Sequence, residues 1–117
     1  MLPLVPQLRI LIAMEPVDFR KGLDALAALC RNQLEQDPFS GTLFVFRNRQ
    51  ATAVKLLVYD GRGFWLCLRR FSSGKLPWWP AEPGIALHPF AAPQLMVLLS
   101  QGHPEHARFA PLWRALS

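Results

Sequence analysis

Residues 41–75 read GTLFVFRNRQATAVKLLVYDGRGFWLCLRRFSSGK, and the fold turns on this stretch. Thr42 to Phe46 is rich in β-formers, and a polar turn, Arg47-Asn48-Arg49-Gln50, follows it. Val54 to Tyr59 is a second strand. Asp60-Gly61-Arg62-Gly63 is a hairpin signal, because Asp-Gly tolerates the positive φ of a tight turn. Phe64 to Phe71 is the third strand, ended by Ser72-Ser73-Gly74. The stretch therefore predicts an antiparallel meander. With a two-residue turn, alternation puts Lys55, Leu57, Tyr59, Phe64, Leu66, Leu68 and Arg70 on one face. Val54, Leu56, Val58, Trp65, Cys67, Arg69 and Phe71 fall on the other, and this second set is expected to meet a helix.

That helix is read upstream. Arg9 to Met14 is a short apolar run that suits a strand. Asp18 is an expected N-cap. Phe19, Leu23, Leu26, Ala27, Cys30 and Leu34 then trace one helical face, with Arg20, Lys21, Asp24, Arg31 and Glu35 on the other side. About four turns are predicted, ended at Asp37-Pro38. Downstream, Pro77, Pro80, Pro83, Pro89 and Pro93 predict an extended or looped segment over 76–93. Ile85 to Leu87 suits an edge strand. Gln94 to Ser100 suits a short helix stopped by Gly102, and His106 to Leu116 a last helical piece. The expectation is one α+β domain over residues 1–117: an antiparallel meander packed on one amphipathic helix, with a Pro-rich segment and short C-terminal helices.

Hydrophobic residues make up 51% of the 117 and charged residues 18%, enough to bury a core. No apolar run approaches the roughly 20 residues that span a bilayer, and the N-terminus lacks a secretory pattern. Cys30 and Cys67 sit in apolar stretches with no pairing spacing, so both are read as reduced, buried and structural. A cytoplasmic protein without membrane contact is expected.

The net charge of +5 is unevenly spread. Arg47, Arg49, Lys55, Arg62, Arg69, Arg70 and Lys75 face a single acid, Asp60, within residues 47–75; the remainder holds six basic and seven acidic residues. Basic residues interleaved with aromatics suit phosphates and stacked bases. A solvated sheet face kept soluble by Arg and Lys is the alternative for the charge; that aromatics are common in strands accounts well for the aromatics and poorly for the charge asymmetry. These seven residues are the candidate nucleic-acid-binding surface, with Tyr59, Trp65, Trp78 and Trp79 as stacking or interface candidates.

Catalytic patterns are missing. His88, His103 and His106 lack Cys or carboxylate partners at ligand spacing, so no metal is expected. Asp18, Asp24, Asp37 and Asp60 occupy cap, helix-face and turn contexts, and there is no phosphate loop of the GxxxxGK[ST] type. Ser72 and Ser73 have no nearby base. No catalytic residue, cofactor or small-molecule substrate is assigned.

Several segments carry a resemblance: Pro16-Val17-Asp18-Phe19-Arg20-Lys21-Gly22-Leu23-Asp24, Asp37-Pro38-Phe39-Ser40-Gly41, and Leu43-Phe44-Val45-Phe46-Arg47-Asn48-Arg49. It continues through Lys55-Leu56-Leu57, Tyr59-Asp60-Gly61-Arg62-Gly63-Phe64, Arg69-Arg70-Phe71 and Gly74-Lys75. Their order and spacing from Asp18 to Trp79 resemble TnpB, the accessory protein of bacterial transposable elements of the "insertion sequence sixty-six" class. (It is unrelated to the RNA-guided nuclease of that name.) Trp78-Trp79 and the tail from His103 depart from the pattern. The resemblance implies a non-catalytic role in transposition and DNA recombination, beside a separate DDE-type transposase. DNA, the transposase or both are the expected partners. The alternative is a pure protein adaptor docking through residues 76–93.

Overall fold

The computed structural model describes residues 8–105, which form five strands and two helices. The strands are β1 (Ile10–Ala13), β2 (Leu43–Arg47), β3 (Ala53–Tyr59), β4 (Phe64–Arg70) and β5 (Leu87–Phe90). The helices are α1 (Leu23–Asn32), between β1 and β2, and α2 (Ala92–Leu99), after β5. The sheet order is β4-β3-β2-β1-β5.

β2, β3 and β4 form the expected meander, with Phe44 opposite Leu57, Leu56 opposite Cys67 and Tyr59 opposite Phe64. Gly61 has φ +97°, and the Asp60 carboxylate accepts hydrogen bonds from the Arg62 and Gly63 amides, closing the hairpin. The sheet is nevertheless mixed. β1 lies parallel to β2 because the chain crosses over through α1 before returning. β5 pairs antiparallel with β1 at the other edge, where Pro89 is tolerated because an edge strand leaves one row of amides unused.

α1 is shorter than its apolar pattern suggested. Asp18 is not its N-cap: its carboxylate accepts the Arg20 amide and side chain, and its carbonyl accepts the Lys21 amide. This closes a turn before Gly22, which is the N-cap without a side-chain cap bond. At the other end Glu35 adopts φ +53° and the chain leaves the helix before Asp37-Pro38.

Each face of the sheet carries one apolar layer. Leu11, Ala13, Phe44, Phe46 and Leu57 pack with Leu26 and Cys30 of α1. Ile10, Ile12, Leu43, Val45, Val54, Leu56 and Val58 pack with Leu95 and Leu98 of α2, and with Trp65, Cys67 and Phe71. The two hairpin faces contain the residues that alternation assigned, but α1 meets the Leu57 face, not the Val54–Leu56–Val58 face. Both faces are apolar at β2 and β3, so apolarity alone could not choose between them. Burial on both sides gives β2 a continuous run, Leu43 to Phe46, with no exposed residue.

In the Pro-rich segment, the Leu76 amide donates to Ala51 O, Trp78 stacks on Phe90 at 5.7 Å, and the Trp79 indole N–H donates to Ala13 O. α2 stops where the Gly102 amide meets Val97 O; a Cβ at Gly102 would lie 2.5 Å from Val97 Cγ1. The helical piece expected over His106 to Leu116 lies outside the described residues. No helix among the described residues is long and apolar enough to cross a membrane.

Both cysteines are free, but only Cys30 is buried as expected; Cys67, on the edge strand β4, is partly exposed. Burial pushes the Cys30 thiol up to about 11. With thiol reagent at pH 8, at most one cysteine is expected to react in the native protein and both after denaturation. Rapid native modification of Cys30, located by mass spectrometry, would contradict its place under α1.

Candidate nucleic-acid interface

An arginine-lined concavity lies at the end of the sheet where β2 turns into β3. It encloses about 530 Å³ and is lined by Pro16, Val17, Asp18, Phe19, Arg20, Asn48, Arg49, Gln50 and Arg70. Three arginines face one carboxylate, an excess of two positive charges.

Three elements build it. The first is the β2–β3 turn, which Asn48 shapes: its side-chain oxygen accepts the Thr52 and Ala53 amides, and its amide nitrogen donates to Thr52 Oγ1. Arg49 and Gln50 are thereby left exposed at the tip. The second is the end of β4. Arg70 stands opposite Ala53 and is exposed. The third is the loop from Pro16 to Lys21, which carries Arg20. Its Val17 amide donates to Arg47 O.

Arg47 and Lys55 brace this arrangement from beneath. Arg47 donates from one terminal nitrogen to Asn48 O at 3.2 Å and Arg49 O at 3.3 Å, and lies over the Trp79 ring. Burial is the main cause that lowers its pKa from the ordinary arginine value. Lys55 donates to Phe19 O at 2.8 Å and Lys21 O at 2.9 Å, across 36 and 34 residues of sequence, with its ammonium 5.0 Å from the Phe19 ring centre. Lys55→Met removes both charge-assisted bonds and is expected to cost about 1–3 kcal/mol. Urea denaturation measures this, and an unchanged midpoint would show that the loop holds itself.

The other candidates lie apart. Arg69 points to the α2 face and donates to Leu99 O, a carbonyl in the last turn of that helix, where a cation also complements the helix dipole. Arg62 sits at the hairpin tip, separated from Arg70 by the length of β4, roughly 23 Å. Lys75 is exposed at the same end as the concavity, next to Leu76, which is bonded to Ala51. Tyr59 packs in a cluster with Phe39 and Phe64, at ring distances of 4.9 and 5.0 Å. The Trp65 indole donates to Asp60 Oδ2. Trp78 and Trp79 are half-buried.

Arg20 is the residue that the helical reading misplaced. It precedes α1, lines the concavity and forms a two-pronged pair with Asp18. The signal was local: Asp-x-Arg followed by Gly22 favours a side-chain-capped turn over a continuing helix. Arg20 holds the Asp18 carboxyl at about 2, through hydrogen bonds from its side chain and then its amide. Relative to an ordinary Asp near 3.9 that pKa is depressed. The pair's contribution is therefore present above about pH 4 and is lost as pH falls towards 2.

A second concavity, of about 750 Å³, runs beside the Pro-rich segment. Met14, Arg47, Trp79, Pro80, Pro83 and Ile85 line it together with Glu15 and Glu82. Among the described residues no group of three or more His, Cys, Asp or Glu side chains comes together as a metal site.

Comparison with known proteins bears on most of the chain. The profile of the family described as "IS66 Orf2 like protein" matches residues 8–107. An uncharacterized protein, y4jC, of Sinorhizobium fredii (strain NBRC 101917 / NGR234) is 39% identical over 95 residues, covering 81% of this chain and 79% of its own. A second uncharacterized protein of that strain, y4hO, is 35% identical over 106 residues, covering 90% of this chain and 92% of its own. No solved structure matches significantly.

Proposed function

This chain belongs to the family of IS66 Orf2-like proteins, which makes it an accessory protein associated with transposition, and from that premise we propose that it binds the DNA of the element through the arginine-lined concavity. The observation that carries this reading is the meeting of Arg20, Arg49 and Arg70, from three separate parts of the chain, around one open concavity. Such a surface contacts phosphates, sets position on a duplex and carries little sequence information of its own. In this reading the strand chemistry belongs to a separate transposase, and this chain organises DNA for it without catalysing a step. Arg47 and Lys55 act as braces, and Lys75 extends the positive surface.

The test is a fluorescence-anisotropy titration with duplex from the element's ends and with unrelated duplex. Both are expected to bind in low salt. Asp18 neutralises Arg20, so Asp18→Asn is expected to tighten binding several-fold and to steepen its salt dependence by about one contact. Because Asp18 is already ionised above pH 4, wild-type affinity at constant salt is expected to stay level from pH 5 to 8. Absence of binding at low salt by the folded wild type would remove this reading.

A second reading is favoured by the groove beside residues 80–86, where Trp79, Pro80 and Pro83 meet the exposed Ile85. There the protein would be an adaptor that docks a partner protein, such as the transposase, without touching DNA. In that case changes at Ile85 would abolish complex formation and changes at Arg49 and Arg70 would not.

A further inference from the structure

β4 is an edge strand, and among the described residues nothing pairs with its outer side. Two hydrogen bonds bracket the β3–β4 ladder: Asp60 N–H to Gly63 O and Phe71 N–H to Thr52 O. An antiparallel ladder alternates, so Trp65, Cys67 and Arg69 turn their backbone groups towards β3. Phe64, Leu66, Leu68 and Arg70 turn theirs to the open edge. The side chains add to this. Leu66 is 36% and Leu68 53% exposed, and Phe39, which packs on Phe64, is 51% exposed. A ten-residue helix is about 15 Å long, and α1 packs over β1, β2 and Leu57 without covering Leu66 or Leu68. A seven-residue edge with exposed leucines is a template for another strand.

The sequence of β4 identifies that strand. It begins with Phe64-Trp65, ends with Arg69-Arg70 and has Cys67 at its centre. Laid antiparallel on a second copy about Cys67, it sets Leu66 opposite Leu68, Trp65 opposite Arg69 and Phe64 opposite Arg70. Cations then neighbour aromatic rings, and leucines meet leucines. The outward-facing backbone groups are also in register, because Leu66 and Leu68 become hydrogen-bonded pairs and Cys67 a non-hydrogen-bonded one. Parallel pairing in register would instead place Arg69 and Arg70 beside their own copies. Moving the antiparallel axis to Leu68 would leave Phe64 and Trp65 without partners in the strand.

We propose that β4 is the seam of a homodimer in which two copies pair antiparallel about Cys67, joining two five-stranded sheets into one. Opposed residues of the seam share a face, so both copies present α1 on the same side.

The test uses the full chain. Light scattering at tens of micromolar, under reducing conditions, is expected to give twice the chain mass. In a non-hydrogen-bonded pair the Cα atoms lie about 4.5 Å apart, within the roughly 4.4–6.8 Å of a disulfide. Mild oxidation with copper-phenanthroline, which accepts the two electrons, is therefore expected to link the copies through Cys67. The covalent dimer should form in the wild type and in Cys30→Ala, and fail in Cys67→Ser. The exposed pair Leu66→Lys and Leu68→Lys, made together, sets like charges opposite one another and should raise the dimer dissociation constant by about 100-fold or more, with an unchanged circular dichroism spectrum. A monomeric wild type would overturn the proposal. So would a dimer indifferent to the two lysines, or one that Cys67 does not link.

Discussion

Reversing the charge at Arg49 and Arg70 together, as Arg49→Glu with Arg70→Glu, is expected to weaken DNA binding by at least about 100-fold in low salt. Each residue offers a phosphate one charge-assisted contact, and losing about 1.4 kcal/mol at each multiplies to that factor. Reversal adds repulsion to the loss. Both side chains are exposed and neither donates a hydrogen bond among the described residues, so thermal stability should change little. The paired reversal of Arg31 and Arg62, on α1 and at the hairpin tip, is the matched control. It changes the net charge equally while leaving the concavity intact. Equal losses from the two pairs would mean diffuse attraction between a basic protein and a polyanion.

Phe44→Ala is expected to give the largest loss of stability, about 3–5 kcal/mol. Phe44 lies on a central strand, fully buried between β1 and β3 and under α1. Truncation leaves a cavity that the two flanking strands hold open. For a domain of this size such a loss is a large fraction of the total, and chemical denaturation should show it as a lower midpoint or as failure to fold. Met96→Ala, on the exposed side of α2, is the contrast, with a change within about 0.5 kcal/mol. Comparable losses at the two positions would mean that the core is not layered as described.

The meander was legible because alternation, the polar turns and Asp60-Gly61 all acted over a few residues. The parallel pairing of β1 and β2 depends on contacts separated by some thirty residues. Its sign lay in the order strand, helix, strand, which favours a parallel return. The helix N-terminus was misread because Phe19 falls in step with Leu23 and Leu26. Asp18 competes by capping a turn of its own, and the competition is local chemistry that periodicity does not register. The basic surface was legible as a charge asymmetry and no further. Strand alternation separates Arg69 from Arg70, and strand length separates Arg62 from both. Lys55 and Arg47 are drawn into bracing by carbonyls from other segments. Arg20 joins the concavity because the loop holding it is pinned to the sheet, by Lys55 and by the Val17 amide on Arg47 O.

The central claim is tested most directly by the slope of log K against log salt for duplex DNA. Each phosphate neutralised contributes about −0.9, so contacts from Arg49 and Arg70, with Arg20 held by Asp18, should give a wild-type slope of roughly −2. Arg49→Ala with Arg70→Ala should flatten it by about 1 to 2, while Arg31→Ala with Arg62→Ala leaves it unchanged. A slope that both pairs flatten equally, or that neither pair alters, would contradict the assignment of DNA binding to this concavity.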